Sequence, residues 1–161
     1  MSSKIQLISN ALILIGVQNE LTKYRWGFAR RKAQLGLTAE VPVGTEWQSV
    51  YQLPSDMLVL IKLNPGTNYQ VLGDKVYCNY KGPLYCDYIA NIPEHEWPVY
   101  FCKMIEYALG MDFAPSIRDS AVSMELLANQ YQNASRMARF TDAQQHPQTP
   151  IQDRPFISVR Y

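Results

Sequence analysis

Two histidines, three cysteines and a run of five cations are the residues of this 161-residue chain whose types could do chemistry. His95 stands between two acids in "EHEW" (94–97), but no second histidine lies four residues on, so the zinc-protease spacing is missing. The acids there suit the start of a helix, where carboxylates oppose the positive end of the helix dipole. His146 falls in a proline-rich stretch with no acid nearer than Asp142, and it takes no role. Cys78 and Cys86 fall on two arms of an expected hairpin and can face each other. A metal site would need two more ligands at compatible spacing, which no Cys or His supplies. With Cys102 they leave an odd thiol, so all three read as free thiols behaving as small apolar groups. The "LGDK" turn (72–75) lacks the remaining glycines of a phosphate loop. Glu46, Asp56 and Asp74 are scattered singly near turns. Catalytic, cofactor-binding and metal-ligating residues are therefore all set at none.

The cations carry more. Lys23, Arg25, Arg30, Arg31 and Lys32 crowd into ten positions, interleaved with Tyr24, Trp26 and Phe28. One reading is a nucleic-acid contact, with phosphates on the cationic groups. The other is a basic face turned to a protein or a neighbouring subunit. A net charge of +1 lacks the basic excess of a general nucleic-acid binder, and it favours the protein contact.

The elements that must position these residues follow from periodicity. The chain is 47% apolar and 18% charged, the composition of one folded domain. "SSKIQLISNALILIG" predicts a helix over about 3–16, capped by Ser2 or Ser3 and stopped at Gly16. Ile5, Leu7, Ile8, Ala11, Leu12, Leu14 and Ile15 cover most of its circumference, so it must be buried on more than one side. The run "ALILI" (11–15) is too short for a signal sequence or a membrane span, which points to a protein made in the cytoplasm without a membrane partner.

A second helix is expected over 19–36, with Gly27 admitting a close backbone and Gly36 ending it. From about 47 to 91 the pattern is short strands. "SVYQLP" and "SDMLVLIKLN" come first, then a hairpin about Gly73-Asp74 and a second about Lys81-Gly82, with Pro83 pushing its strand to an edge. Helices return over about 96–114, with Pro98 in the first turn and Trp97, Phe101, Met104, Ile105, Ala108 and Leu109 on one face. After a break at Pro115 a last helix runs over 116–145, with a stripe of Ala121, Met124, Ala128, Tyr131, Ser135 and Ala138. The expected fold class is α+β: mainly a helical bundle with an inserted antiparallel β-meander, forming a domain over 1–146.

Residues 147–161, "PQTPIQDRPFISVRY", make an extended C-terminal arm. Its prolines exclude a helix, and at about 3.3 Å per residue it reaches roughly 50 Å. Ile151, Phe156, Ile157, Val159, Arg160 and Tyr161 are assigned to partner binding. "FISVRY" alternates like a strand that could add to a sheet edge. The alternative is an arm folded back over its own bundle.

"LISNALILIG", "RWGFARRKAQL", "YQLPSDML", "YQVLGDKVYCN" and "IPEHEWPVYFCKMIEYALGMDFA" occur in a serial order that resembles the tail tubular protein A family, the head-to-tail adaptors of short-tailed bacteriophages. The resemblance runs to about residue 145. Its aromatic pair corresponds to Trp26 and Phe28, its Leu-Pro-x-Asp turn to Leu53, Pro54 and Asp56, and its proline-aromatic helix start to Pro98 and Phe101. All of these are fold-defining. The family has a further stretch before the Trp-x-Phe-Ala segment, where this chain has only "VQNELTKYR". The resemblance implies a non-enzymatic virion protein at the head–tail junction, a homo-oligomeric ring generally of twelve copies. Its partners would be the portal protein and a tail nozzle or tubular protein B-like protein, with genomic DNA passing through the channel. A small nucleic-acid-binding accessory protein using a basic aromatic helix over 23–32 is the alternative function.

Overall fold

The computed structural model describes residues 4–40, 42, 46–117 and 121–145. Three long helices and a six-stranded antiparallel sheet make up the fold, with the chain order α1 (Lys4–Lys23), β1 (Arg30–Leu37), β2 (Ser49–Gln52), β3 (Met57–Asn64), β4 (Tyr69–Leu72), β5 (Lys75–Cys78), β6 (Leu84–Ala90), a 3-10 turn at Glu94–Glu96, α2 (Val99–Ile117) and α3 (Ala121–Gln144). The strand order is β3-β6-β1-β2-β5-β4. The expectation of a mainly helical bundle with an inserted meander is wrong: the sheet is a half-barrel that organises the fold.

The error begins at residues 19–36. Gly16 does not stop α1, which runs on to Lys23. A Cβ at Gly16 would meet the Leu109 side chain at 3.2 Å, so the glycine serves the close passage of α1 over α2. The second expected helix is instead a turn, Tyr24 to Ala29, followed by β1. Residues 30–35 are good helix formers by propensity, yet they pair with β6 from Arg30↔Ile89 to Leu35↔Leu84. Tertiary pairing wins because β6 is a central strand buried from Cys86 to Ala90, and a helical β1 would strip its ladder bonds along one side. β1 then changes partner, pairing Gly36↔Gln52 and Leu37↔Tyr51 with β2. It thereby joins the β3-β6 half of the sheet to the β2-β5-β4 half.

The Gly73-Asp74 hairpin forms as its sequence demands, with Gly73 at φ 63° and β4 paired to β5 from Tyr69↔Cys78 to Leu72↔Lys75. The hairpin about Lys81-Gly82 does not form. β5 pairs with β2 and β4, while β6 pairs with β1 and β3, so residues 79–83 cross between the halves. The buried Tyr51 hydroxyl holds this crossing, accepting from the Gly82 N–H at 3.2 Å and lying 2.9 Å from the Gly82 carbonyl. Pro83 consequently precedes a central strand, not an edge. It sits just before Leu84, where the first ladder bond has yet to be made.

α2 and α3 run antiparallel: Tyr100 meets Asp142 at one end, and Gly110 lies against Leu127 toward the other. Pro98 caps α2, its carbonyl accepting from Phe101 and Cys102 at 2.9 and 3.0 Å, one position before the first-turn place expected of it. The helix continues through Pro115 to Ile117. The core gathers Trp26, Tyr51, Leu84, Ile89, Phe101 and Met104, each essentially without solvent contact.

Candidate functional site

The aromatic residues of the basic segment turn inward. Trp26 is buried and meets Phe101 edge-on at 5.3 Å, and Phe28 lies 4.9 Å from the same ring. Trp97 also packs edge-on against Phe101, at 5.6 Å. The Trp26 indole N–H donates to the Glu20 carbonyl at 3.1 Å, which fixes the turn to the end of α1.

Two buried carboxylates clasp this turn and α1 to α3. Asp142 accepts from the Gly27 N–H at 2.8 Å and from the Tyr100 hydroxyl at 3.0 Å. Gly27 thus serves a side-chain acceptor, where a close-approaching backbone had been expected. Glu20 accepts from the Tyr131 hydroxyl at 2.7 Å and pairs with Lys23. Burial and the bond to Asp142 push the Tyr100 hydroxyl far above its ordinary pKa. Burial and the bond to Glu20 raise Tyr131 in the same way, and the bond to Glu20 raises Lys23 against the opposing effect of burial. These groups hold their protons through the neutral range and act as fixed donors.

The five cations do not share a helix face. Lys23 ends α1, Arg25 is exposed in the turn, and Arg30, Arg31 and Lys32 open β1. Strand alternation then splits the last three. Arg31 bonds Glu96 at 2.8 Å, while Arg30 and Lys32 point to the outer face of the sheet. There Arg30 bonds the buried carboxylate of Asp87 at 2.7 Å, and Lys62 of β3 lies 3.7 Å from the same oxygen. Burial works against the Asp87 charge, but the Arg30 hydrogen bond and the charges of Lys32, Arg30 and Lys62 hold its carboxyl below the usual range. Lys62 and Asp87 escaped the sequence reading because cross-strand register alone brings them to Lys32. The alternation of "LYCDYIA" was the one available signal.

The second surface lies on the middle of α1. Leu12, Ile13, Leu14 and Ile15 are 51%, 38%, 52% and 62% exposed, although four consecutive large apolar residues in a helix call for cover on every side. Among the described side chains of α1, the buried ones are Val17, Glu20 and Leu21. Ile13, Leu14 and Val17 line a cleft of about 420 Å³ against Ile92, Pro93 and Trp97. The expectation of a helix over 3–16 buried on more than one side is not met over residues 9–16, which are exposed or half-buried; the burial begins at Val17, beyond the expected stop.

Cys78 and Cys86 are both buried and free, but they lie on strands that do not pair with each other. Burial pushes the Cys86 thiol up, away from the reactive thiolate. His95 is exposed beside Glu96 at 3.7 Å. Among the described residues no three His, Cys, Asp or Glu side chains gather where a metal ion could be held, and no helix is long and apolar enough to cross a membrane. The arm residues Ile151, Phe156, Ile157, Val159, Arg160 and Tyr161 and the unassigned His146 lie outside the described residues.

No protein-family model matches the chain, and no curated protein matches it. The adaptor resemblance rests on the five serial motifs alone.

Proposed function

We propose that this chain is a non-enzymatic structural protein that works as one copy of a ring, the head-to-tail adaptor of a short-tailed phage virion. The observation that carries an assembly role is the uncovered stretch Leu12–Ile15. An apolar surface of that kind is stabilised by a second protein surface at about 25 cal/mol per Å² of apolar area removed from water. The serial motifs supply the specific identity of the assembly, with the portal on one side and a nozzle protein on the other. Around a ring each contact is repeated in every copy, so modest affinity per contact suffices. Leu53, Pro54 and Asp56 form the turn before β3, and Asp56 accepts from the Tyr88 hydroxyl at 3.2 Å. The resemblance motif there serves the fold, as does the Pro98 cap of α2.

The test is electron microscopy of particles assembled without this chain. DNA-filled or leaking heads lacking tails are expected, and tails are restored when the chain is supplied. Normal tailed particles would overturn the adaptor reading. The alternative accessory role on a basic aromatic helix over 23–32 loses its element, because those residues form a helix end, a turn and a strand start.

A further inference from the structure

The outer face of β3-β6-β1 is laid out in three cross-strand rows. Val59, Ile89 and Arg30 form the first, Lys62, Asp87 and Lys32 the second, and Asn64, Tyr85 and Gln34 the third. Adjacent strands are about 4.8 Å apart, so the two lysines flank Asp87 at roughly 10 Å from each other along the row. Arg30, Lys32 and Lys62 surround one acid, leaving two positive charges on this face of a chain whose total is +1. Lys32 and Arg25 have no ion-pair partner among the described residues. At the first row lies a cleft of about 480 Å³ whose lining includes Val59, Ile61 and Ile89 together with Lys23 and Arg25. At the other end the Tyr85 ring is 47% exposed between two amide side chains. The Tyr85 and Ile89 positions lie about 13 Å apart along β6, with the cations between them.

We infer that this face binds single-stranded nucleic acid, its phosphates lying over Arg30, Lys32 and Lys62, one base stacked on Tyr85 and another seated in the cleft beneath Arg25. A positive track with separate stacking places is what an unpaired strand offers its bases and phosphates to. The exposed amides of Gln34 and Asn64 add hydrogen-bonding groups at the Tyr85 end. A duplex is the poorer occupant, because its bases stay stacked inside it and its grooves take a protruding helix or ribbon, which this sheet face does not offer. An acidic polypeptide would satisfy the cations but leave the tyrosine ring and the apolar cleft unused. This site stands apart from the adaptor reading, since none of its residues belongs to the exposed stretch of α1.

The test is fluorescence anisotropy of labelled oligothymidylate with the full chain at low salt. Saturable binding that weakens as salt rises is expected. The double variant Lys32→Glu, Lys62→Glu weakens it at least about tenfold through the lost phosphate contacts. Tyr85→Ala weakens it at least about fivefold through one lost stacked base. Lys103→Glu, a single charge reversal on the α2–α3 side, leaves binding unchanged, and circular dichroism checks that each variant keeps its fold. The proposal fails if the strand does not bind, if Tyr85→Ala binds as well as the parent, or if duplex DNA or polyglutamate competes as effectively as unlabelled single strand.

Discussion

Asp142 and Asp87 show how differently one residue type can be used within this chain. Asp142 is an internal acceptor that ties a turn, α2 and α3 together through two donors. Asp142→Ala leaves the Gly27 N–H and the Tyr100 hydroxyl unpaired and should cost about 3 kcal/mol, read as the fall in urea unfolding free energy followed by tryptophan fluorescence. Asp142→Asn keeps one acceptor and should cost less. Asp87 acts through its charge. Its folded carboxyl is held below the ordinary value of 3.8, so its contribution to stability is present above that value and is lost as pH falls through the lower folded pKa. Unfolding midpoints measured from about pH 5 to about pH 2.5 should therefore drop more steeply for the parent than for Asp87→Asn. Equal slopes would remove Asp87 from the acid limb.

At the scale of elements, α1 and β1 decide the architecture. α1 is anchored toward its C-terminal end by Leu21 and by Glu20 with its Tyr131 bond, while Leu12, Ile13, Leu14 and Ile15 stay exposed. Leu14→Gln with Ile15→Gln should change unfolding free energy by no more than about 0.5 kcal/mol per site, as exposed substitutions do. The same pair should abolish incorporation into particles, scored by immunoblot of purified virions. A large loss of stability in the isolated chain would mean that Leu14 and Ile15 are already covered by its own fold. β1 shows the opposite balance, since its residues favour a helix locally and form a strand because both neighbours need their ladder bonds. β3, an edge strand, carries register shifts between Met57 and Val59 and between Leu60 and Lys62, irregularities of the kind that guard exposed edges.

At the scale of the whole molecule, two described surfaces lie apart: Arg30, Lys32 and Lys62 share the outer sheet face, and Leu12, Ile13, Leu14 and Ile15 are exposed together on α1. Removing residues 147–161 should leave thermal stability nearly unchanged while abolishing attachment of the chain to its particle, measured by melting temperature beside co-sedimentation with heads. A substantial drop in melting temperature would instead mean that the arm contributes to the stability of its own chain.

Some of this was legible from residue order alone. The Gly73-Asp74 hairpin, the strands ending at Gln52 and Asn64, the apolar face of α2 and the small-residue stripe of α3 each follow from contacts within a few residues, where turn chemistry and periodicity act directly. The end of α1 was misread because Gly16 looks the same whether it stops a helix or admits a neighbour, and only the position of Leu109 distinguishes the two. Residues 30–35 were misread because local propensity favours a helix, while the ladder bonds that overrule it come from β6, a distant segment of the chain. The failed hairpin at Lys81-Gly82 has the same origin: each flanking strand had two other partners. Composition and short-range pattern set which segments are regular and which side chains seek burial. Only the tertiary structure decided which strands pair, because pairing depends on competition among distant partners, and it thereby brought Lys32, Lys62 and Asp87 to one face.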